Sequence, residues 1–453
     1  MSNSKWTRRM ALGGLALGSA WLYGRGAHAL RGFVRAEPGF NPTKTRALVV
    51  GVLQWQSSQL HGFPATDRKD AALVEQLVRR GVPRANITFL RDQDATQAAI
   101  RTALARSLAS TRPDETLLVY YAGHGARTAD GKTYFMPYDA DPAALPTSAW
   151  DIETLVEGVT STRFAGSAWL MADCCYSGAL TELVQRRNRA QHSITTLTSS
   201  LASVLSTGNW TFTECVIAAL SGESICDVDR NRRISLGDLQ QFTRSQMAFV
   251  EQQLASYSNS GAFSSNYLLG PAQATQQPRR GEQVEVRWQG QWFRAQIISQ
   301  DGQNTLVHYV GFPSSSDEVV TADRLRPFAP RRFAPRAQVE VEWNARWYPA
   351  TVLEENTGIH RIHYDNYEAS WDEWVASTRI RPRAQAPVAG QGGNLEVEWN
   401  GQWYAATALR ADGTAQLVHY DGFGSEWDEW VPATRVRPRR APSGPRRPPR
   451  RRR

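Results

Sequence analysis

TLLVYYAGHG (residues 116–125) and AWLMADCCYSG (residues 168–178) are the two stretches on which the reading of this chain turns. Each opens on an apolar run without polar alternation, the pattern of a strand buried on both faces of a sheet. Each then breaks into a glycine-bearing turn that carries a chemically capable side chain. The first turn holds His124 between Gly123 and Gly125, and the second holds Cys174 and Cys175 directly after Asp173. In an open parallel sheet, ligands and catalytic groups collect at the carboxyl ends of the strands. The two turns are therefore expected on one edge of the same fold.

The flanking sequence supplies the rest of that fold. RALVVGVL (46–53) is a further buried strand. DRKDAALVEQLVRRG (67–81) sets Leu73, Val74, Leu77 and Val78 on one helical face and stops at Gly81. NITFL (86–90) reads as a second strand and DATQAAIRTALARSLAS (94–110) as a second helix capped by Asp94. Strands alternating with helices imply right-handed crossovers, hence an α/β domain with a mostly parallel sheet flanked by helices over residues 44–270. Residues 179–209 show no clear period and read as a long loop.

The chemistry of the two turns is complementary. A thiol with a pKa of about 8.5 is only slightly ionised at neutral pH and needs a neighbouring base or cation to become a nucleophile. His124 can stabilise the thiolate and later protonate a leaving amine. The glycines beside it let a substrate backbone approach, and the Gly125 amide can face a developing oxyanion.

YYAGHG followed by DCCYSG resembles the caspase-like clan of cysteine peptidases, and within it the bacterial metacaspase-like branch. His124 and Cys175 are 51 residues apart, close to the roughly 50 that separate base and nucleophile in caspase-type enzymes. The resemblance implies Cys175 as nucleophile, His124 as base, and the amides of Gly125 and Cys175 as oxyanion donors. It also implies that Asp70 and Asp173 line an S1 pocket, where two carboxylates suit a P1 Arg or Lys and repel a P1 Asp. Tyr176 stands where that branch often has His, and Ala122 where it often has Ser; neither change removes a catalytic group. Asp67-x-x-Asp70 is also a capping-box pattern opening a helix, so Asp70 has a structural reading beside the functional one. Cys174 and Cys215 read as small buried hydrophobes.

DVDRNRRISLGD (227–238) admits two readings. Asp227, Asp229 and Asn231 occupy positions one, three and five of a calcium loop. Position six is Arg232 instead of Gly, and position twelve is Asp238 instead of Glu, which favours a capped turn ahead of a helix. Calcium is the one cofactor the sequence admits.

From residue 281 the chain repeats itself. QVEVRWQGQWFRAQI, QVEVEWNARWYPATV and NLEVEWNGQWYAATA each lead to a His-Tyr pair and close on Arg-x-Arg-Pro. Three small antiparallel barrels are expected at 281–327, 337–382 and 393–438. HYDNYEASWDEWV and HYDGFGSEWDEWV resemble Tudor-knot or chromo-barrel modules, a resemblance that implies a ligand for the barrels and allows an aromatic cage for methylated lysine. The first repeat departs from this pattern, with Ser316 and Val319 in place of Trp371 and Trp374. Most of the repeat tryptophans are assigned to the barrel cores.

Composition bounds the remaining possibilities. Among 453 residues, 21% are charged and four are Cys, which excludes a disordered chain and a disulfide scaffold. The net charge of +9 is local: Arg437 to Arg453 holds nine Arg and no acid, and without it basic and acidic residues balance at 43 each. The Arg/Pro-rich tail (439–453) can attach to a polyanion or be a solvated end. Residues 1–29 read as an export signal, with Lys5, Arg8 and Arg9, an apolar core from Met10 to Tyr23, and Ala27-His28-Ala29 as a cleavage site. Arg8-Arg9 resembles a twin-arginine signal, and an uncleaved membrane anchor is the alternative.

Together these features predict an exported, periplasmic or extracellular cysteine endopeptidase that acts on proteins or peptides, tethered by its barrels and tail. Arg186, Arg187 and Arg189 suit an Arg-specific enzyme as self-cleavage sites. The competing expectation is a non-catalytic adaptor whose barrels bind a partner on a caspase-like scaffold.

Overall fold

The computed structural model describes residues 38–188, 192–202, 208–274, 279–383, 394–412 and 415–439. The export-signal residues 1–29, Arg189 and the tail beyond Arg439 lie outside the described residues. Among the described residues, no helix is long and apolar enough to cross a membrane.

Six strands make the main sheet: β1 (Thr45–Gly51), β2 (Ile87–Arg91), β3 (Thr116–Ala122), β4 (Ser167–Asp173), β5 (Ile194–Thr198) and β6 (Ser256–Asn259). They lie in the order β6-β5-β4-β3-β1-β2. Neighbours among β1–β5 run parallel, and β6 joins β5 antiparallel. Alternate residues of the central strands supply two cores. Val49, Leu118, Tyr120 and Met171 meet one set of helices: α1 (Lys69–Arg79), α5 (Thr211–Ser221) and α6 (Leu236–Gln246). Leu48, Val119, Tyr121 and Leu170 meet the other: α2 (Gln97–Ser110), α3 (Ile152–Thr160) and α4 (Gly178–Arg187). A sheet covered on both faces is why its strands read as continuous apolar runs.

The structure corrects the sequence reading at three places in this domain. Residues 179–209 are not one loop, for they contain most of α4 and all of β5. Helix α4 buries Leu180, Leu183 and Val184 at helical spacing, and Arg186 and Arg187 sit in its last turn. Strand β5 escaped notice because its sequence, ITTLT, is polar, yet every residue is buried. Its hydroxyls are satisfied laterally: Thr196 Oγ1 lies 3.0 Å from Thr181 Oγ1 and 2.8 Å from Ser258 Oγ. Helix α2 is capped by Thr96, which accepts from the Ala99 amide at 3.3 Å, rather than by Asp94. Helix α1 begins after Arg68 without a side-chain cap, so Asp67 and Asp70 form no capping box.

Each C-terminal repeat folds as five antiparallel strands in the order 4-3-2-1-5, the first beginning Gln283–Trp288, the second Gln338–Trp343 and the third Asn394–Trp399. The cores are small aliphatics and one Tyr, such as Val339, Val341, Ala350, Val352 and Tyr364 in the second barrel. The tryptophans are not core, which reverses the assignment made from sequence. Trp343 and Trp371 are 45% and 54% exposed: Trp343 ends its strand at the hairpin, opposite Arg346, and Trp371 sits in the single helical turn Ala369–Trp371, so both lie outside the run of inward-facing valines. One outer Trp per repeat instead carries an arginine 4.0–4.1 Å from its ring centroid: Arg326 on Trp292, Arg381 on Trp347, Arg437 on Trp403. Each arginine also pairs with a glutamate at 2.6 Å.

The first barrel docks on the caspase-like α/β domain. Gln283 Nε2 donates to Ser245 Oγ at 3.2 Å, Gln296 Nε2 to Gln246 Oε1 at 2.8 Å, and Arg294 to the Phe249 carbonyl. Phe249 and Phe328 meet edge-on at 4.6 Å.

Thr196→Val keeps the shape of the β5 core and removes one hydroxyl from the lateral network. It should lower stability by about 1–3 kcal/mol, the usual penalty for stranding buried polar partners. Thermal and urea unfolding of the full chain measure this. A neutral result would mean that the threonine ladder contributes shape alone.

Candidate active site

The site follows from strand register. Gly51 pairs with Ala122, and Ala122 with Asp173, so β1, β3 and β4 end level with one another. His124 and Cys175 each come two residues after their strand, which brings their turns together. Their backbones touch: a Cβ on Gly125 would lie 2.0 Å from the Cys175 carbonyl oxygen. Gly123, at φ +152°, would place a Cβ 2.6 Å from the Tyr121 hydroxyl. Both glycines of the GHG motif are thus required by close approach.

On the cysteine side, Tyr176 takes a left-handed conformation at φ 58°, which costs a non-glycine residue roughly 1–2 kcal/mol. This sharp turn leads from β4 into α4 and leaves Cys175 half-buried while Cys174 is buried. Burial pushes the Cys174 thiol well above its usual range, which suits the structural role expected from sequence. The turn is stitched to the end of β5, where Ser200 Oγ donates to the Cys174 carbonyl at 3.0 Å and meets Ser177 Oγ at 3.0 Å.

The imidazole of His124 is held on three sides. Its Nε2 lies 2.8 Å from the His61 carbonyl oxygen, so that nitrogen carries the proton in this bond. Trp55 and Phe63 pack against the ring at centroid distances of 4.4 and 4.6 Å. Burial lowers its pKa below the ordinary histidine value, favouring the neutral ring over the imidazolium. The fully buried Tyr121 donates its hydroxyl to the His124 carbonyl at 2.8 Å, fixing the turn from below. None of His61, Trp55, Phe63 or Tyr121 was singled out from sequence. His61 and His124 lie 63 residues apart, and no local pattern marks a backbone carbonyl as a ring anchor.

The two acids expected in a substrate pocket separate. Asp173 lines the cleft beside Cys175. Its carboxylate is buried, accepts from Thr213 Oγ1 at 2.6 Å, and desolvation raises its pKa to about 7. Asp70 does not line the cleft. It is 0% exposed, and Arg68 binds its carboxylate at 2.6 Å while also pairing with Asp92. Asp67 is the acid of that segment that reaches the cleft, together with Glu214 and Glu251 near Asp173. Lys69 on the same wall is neutralised by Asp67 at 2.7 Å and Glu214 at 3.2 Å.

At residues 227–238, carboxylate oxygens of Asp227, Asp229 and Asp238 lie within 4.8 Å of one another. Their lone pairs serve the turn itself: Asp238 closes a capping box with Ser235, and Asp227 accepts the amides of Asn231 and Arg232. The capped-turn reading accounts for these residues.

Comparison with known proteins places this geometry. Residues 44–266 match the Caspase domain model, and residues 281–330 and 337–385 match the Agenet domain model. The chain is similar to the crystal structure of caspase-1 from Spodoptera frugiperda at 13% identity and a TM-score of 0.39, covering 53% of this chain and 96% of that one. It is also similar to a protein from Geobacter sulfurreducens at 14% identity and a TM-score of 0.36, covering 50% and 96%. The comparison with curated proteins finds no match. The level strand ends, the GHG and DCCYSG turns and the matched model agree: residues 44–266 of this chain are a caspase domain, followed by Agenet domains at 281–330 and 337–385.

Proposed function

We propose that the chain is a cysteine endopeptidase in which Cys175 is the nucleophile and His124 the general base. The observation that supports this reading is the close contact between the Gly125 and Cys175 backbones, which brings the turn carrying the anchored His124 imidazole against the turn carrying the half-buried Cys175 thiol. In the first step His124 takes the thiol proton, and Cys175 Sγ forms a bond to the scissile carbonyl carbon. The electron pair moves to the carbonyl oxygen, which the amides of Gly125 and Cys175 receive. Collapse breaks the C–N bond as His124 returns its proton to the leaving amine. Water then hydrolyses the thioester with His124 as base, restoring the thiol.

The preference we assign is Arg or Lys at P1. The cleft carries Asp67, Glu214, Glu223 and Glu251 beside Asp173, against Lys69, which is already paired, and Arg280 next to the first barrel. An arriving guanidinium supplies the partner that lets Asp173 ionise, and charged pairing of this kind is strongest where water is excluded. The barrels are proposed as the tether. In the second, Trp343, Tyr348, Tyr367 and Trp371 form an open aromatic quartet with centroid spacings of 5.9–6.4 Å, suited to a cationic ligand. An exported location and polyanion attachment through the tail belong to the same proposal and rest on the sequence alone.

An arginine-bearing electrophile should label Cys175 in the wild-type chain and leave Cys175→Ala unlabelled. Turnover should fall at least about a thousandfold in Cys175→Ala and about a hundredfold or more in His124→Ala, while Cys174→Ala retains most of it. Equal losses in the two cysteine variants, with folding intact, would defeat the assignment.

A second prediction concerns pH. Asp173 has a folded-state pKa above its unfolded value, so its protonated form stabilises the empty protein at low pH, and that contribution is lost as pH rises towards about 7. Binding of a cationic P1 residue requires the ionised form and should strengthen through the same window. The kcat/KM for an Arg substrate should therefore rise through about pH 7, and Asp173→Asn should flatten that rise and lower the value far more for Arg than for a neutral P1. Profiles measured on matched Arg and norleucine peptides decide it; identical losses on both would assign Asp173 a purely structural role.

A further inference from the structure

We propose that the first barrel is part of the substrate cleft and selects an apolar side chain of the substrate polypeptide at a position flanking the scissile bond. This rests on the endopeptidase reading above. A single continuous cleft of 860 Å³ runs from Cys175 and Asp173 to Gln296, His308 and Phe312 of the first barrel. That volume is at the upper end of the roughly 300–1,000 Å³ typical of ligand sites and suits an extended peptide better than one P1 side chain.

The two ends of the cleft differ in chemistry. Near the cysteine the wall is acidic. At the barrel end Phe312, Phe242 and Val250 add apolar surface beside the polar Gln296, His308 and Arg280. A substrate with a cation at P1 and an apolar residue farther along matches this division.

The barrel is held in place to act as a wall. Gln296, which lines the cleft, donates to Gln246 of α6, and Arg294 both donates to the Phe249 carbonyl and lies 5.7 Å from the Phe249 ring centroid. The departure of the first repeat from its siblings falls on this face. In the second barrel, Tyr367 lies against Trp371, and in the third, Phe423 lies against Trp427. In the first barrel Ser316 takes the place of that tryptophan, and Phe312 meets Phe293 and Tyr309. Phe312 is 49% exposed, much as Tyr367 (46%) and Phe423 (48%) are, but of these three rings it is the one that lines the cleft, and covering such a ring with a substrate side chain removes apolar surface from water.

The test uses the full chain and peptides with one fixed Arg, in which each flanking position carries Leu or Gly in turn. Wild type should prefer Leu over Gly at one position by about tenfold in kcat/KM, the scale of discrimination an apolar pocket achieves. Phe312→Ala should bring that ratio close to one, and Phe312→Leu, which keeps an apolar wall, should retain most of it. Binding of the same peptides to Cys175→Ala, followed by fluorescence anisotropy, should show the same Leu preference and the same dependence on Phe312. A ratio that Phe312→Ala leaves unchanged, in cleavage and in binding, overturns the proposal. If no peptide is cleaved and yet the binding preference follows Phe312, the cleft assignment stands and the endopeptidase reading fails.

Discussion

The contact between the backbones of Gly125 and Cys175 is the constraint around which this domain is arranged. Two loops from non-adjacent parts of the chain can meet so closely only if the strands beneath them end level. That condition is met by the in-register ends of β1, β3 and β4 at Gly51, Ala122 and Asp173. It also dictates glycine at 125, since any side chain there would collide with the Cys175 carbonyl. The remaining supports follow the same logic. Tyr121 fixes the histidine turn through its hydroxyl, and the Ser177–Ser200 pair fixes the cysteine turn. Preorganised groups of this kind do not have to be ordered again when a substrate arrives.

Electrostatics divides the acids of the domain into two kinds. Asp70 and Asp92 converge on Arg68, which also donates to the Gly51 carbonyl at 2.9 Å. That cluster ties helix α1 to the end of β1, and its charges are compensated internally. Asp173 has hydroxyl partners and, among the described residues, no salt-bridged cation, and burial lifts its pKa. A buried carboxylate without a counter-charge gains more from a cation than one already paired. The same contrast explains why two aspartates with similar motif positions have different surroundings.

The three barrels show how one module can be put to different uses by changes outside its core. Their cores are nearly interchangeable sets of Val, Ala and Tyr with Ile or Leu, and each repeats the Trp–Arg–Glu clasp on its outer face. The aromatic faces diverge. Trp371 and Trp427 complete quartets in the second and third barrels, whereas Ser316 opens the face of the first. The open face is the one that meets the cleft beside the α/β domain. Of the corresponding exposed rings Phe312, Tyr367 and Phe423, it is Phe312 that lines the cleft.

Much of this was legible in the sequence because the signals are local. Unbroken apolar runs marked β1, β3 and β4; the GHG and DCCYSG turns marked their carboxyl ends; and recurring tryptophans marked the three barrels. The polar strand β5 was not legible, since its threonines satisfy one another only across neighbouring strands and helix α4. The placement of tryptophans such as Trp343 and Trp371 outside the barrel cores depends on where each strand ends and each turn begins, which a count of aromatic residues does not reveal. Which residues could carry chemistry was readable along the chain, because residue type and strand-end position are local properties. That His61 anchors the imidazole, that Arg68 takes Asp70 away from the cleft, and that the first barrel stands at its far end emerge only on folding. Each of these is a contact between segments distant in the chain, and such contacts are selected by packing of the whole fold rather than by any local pattern.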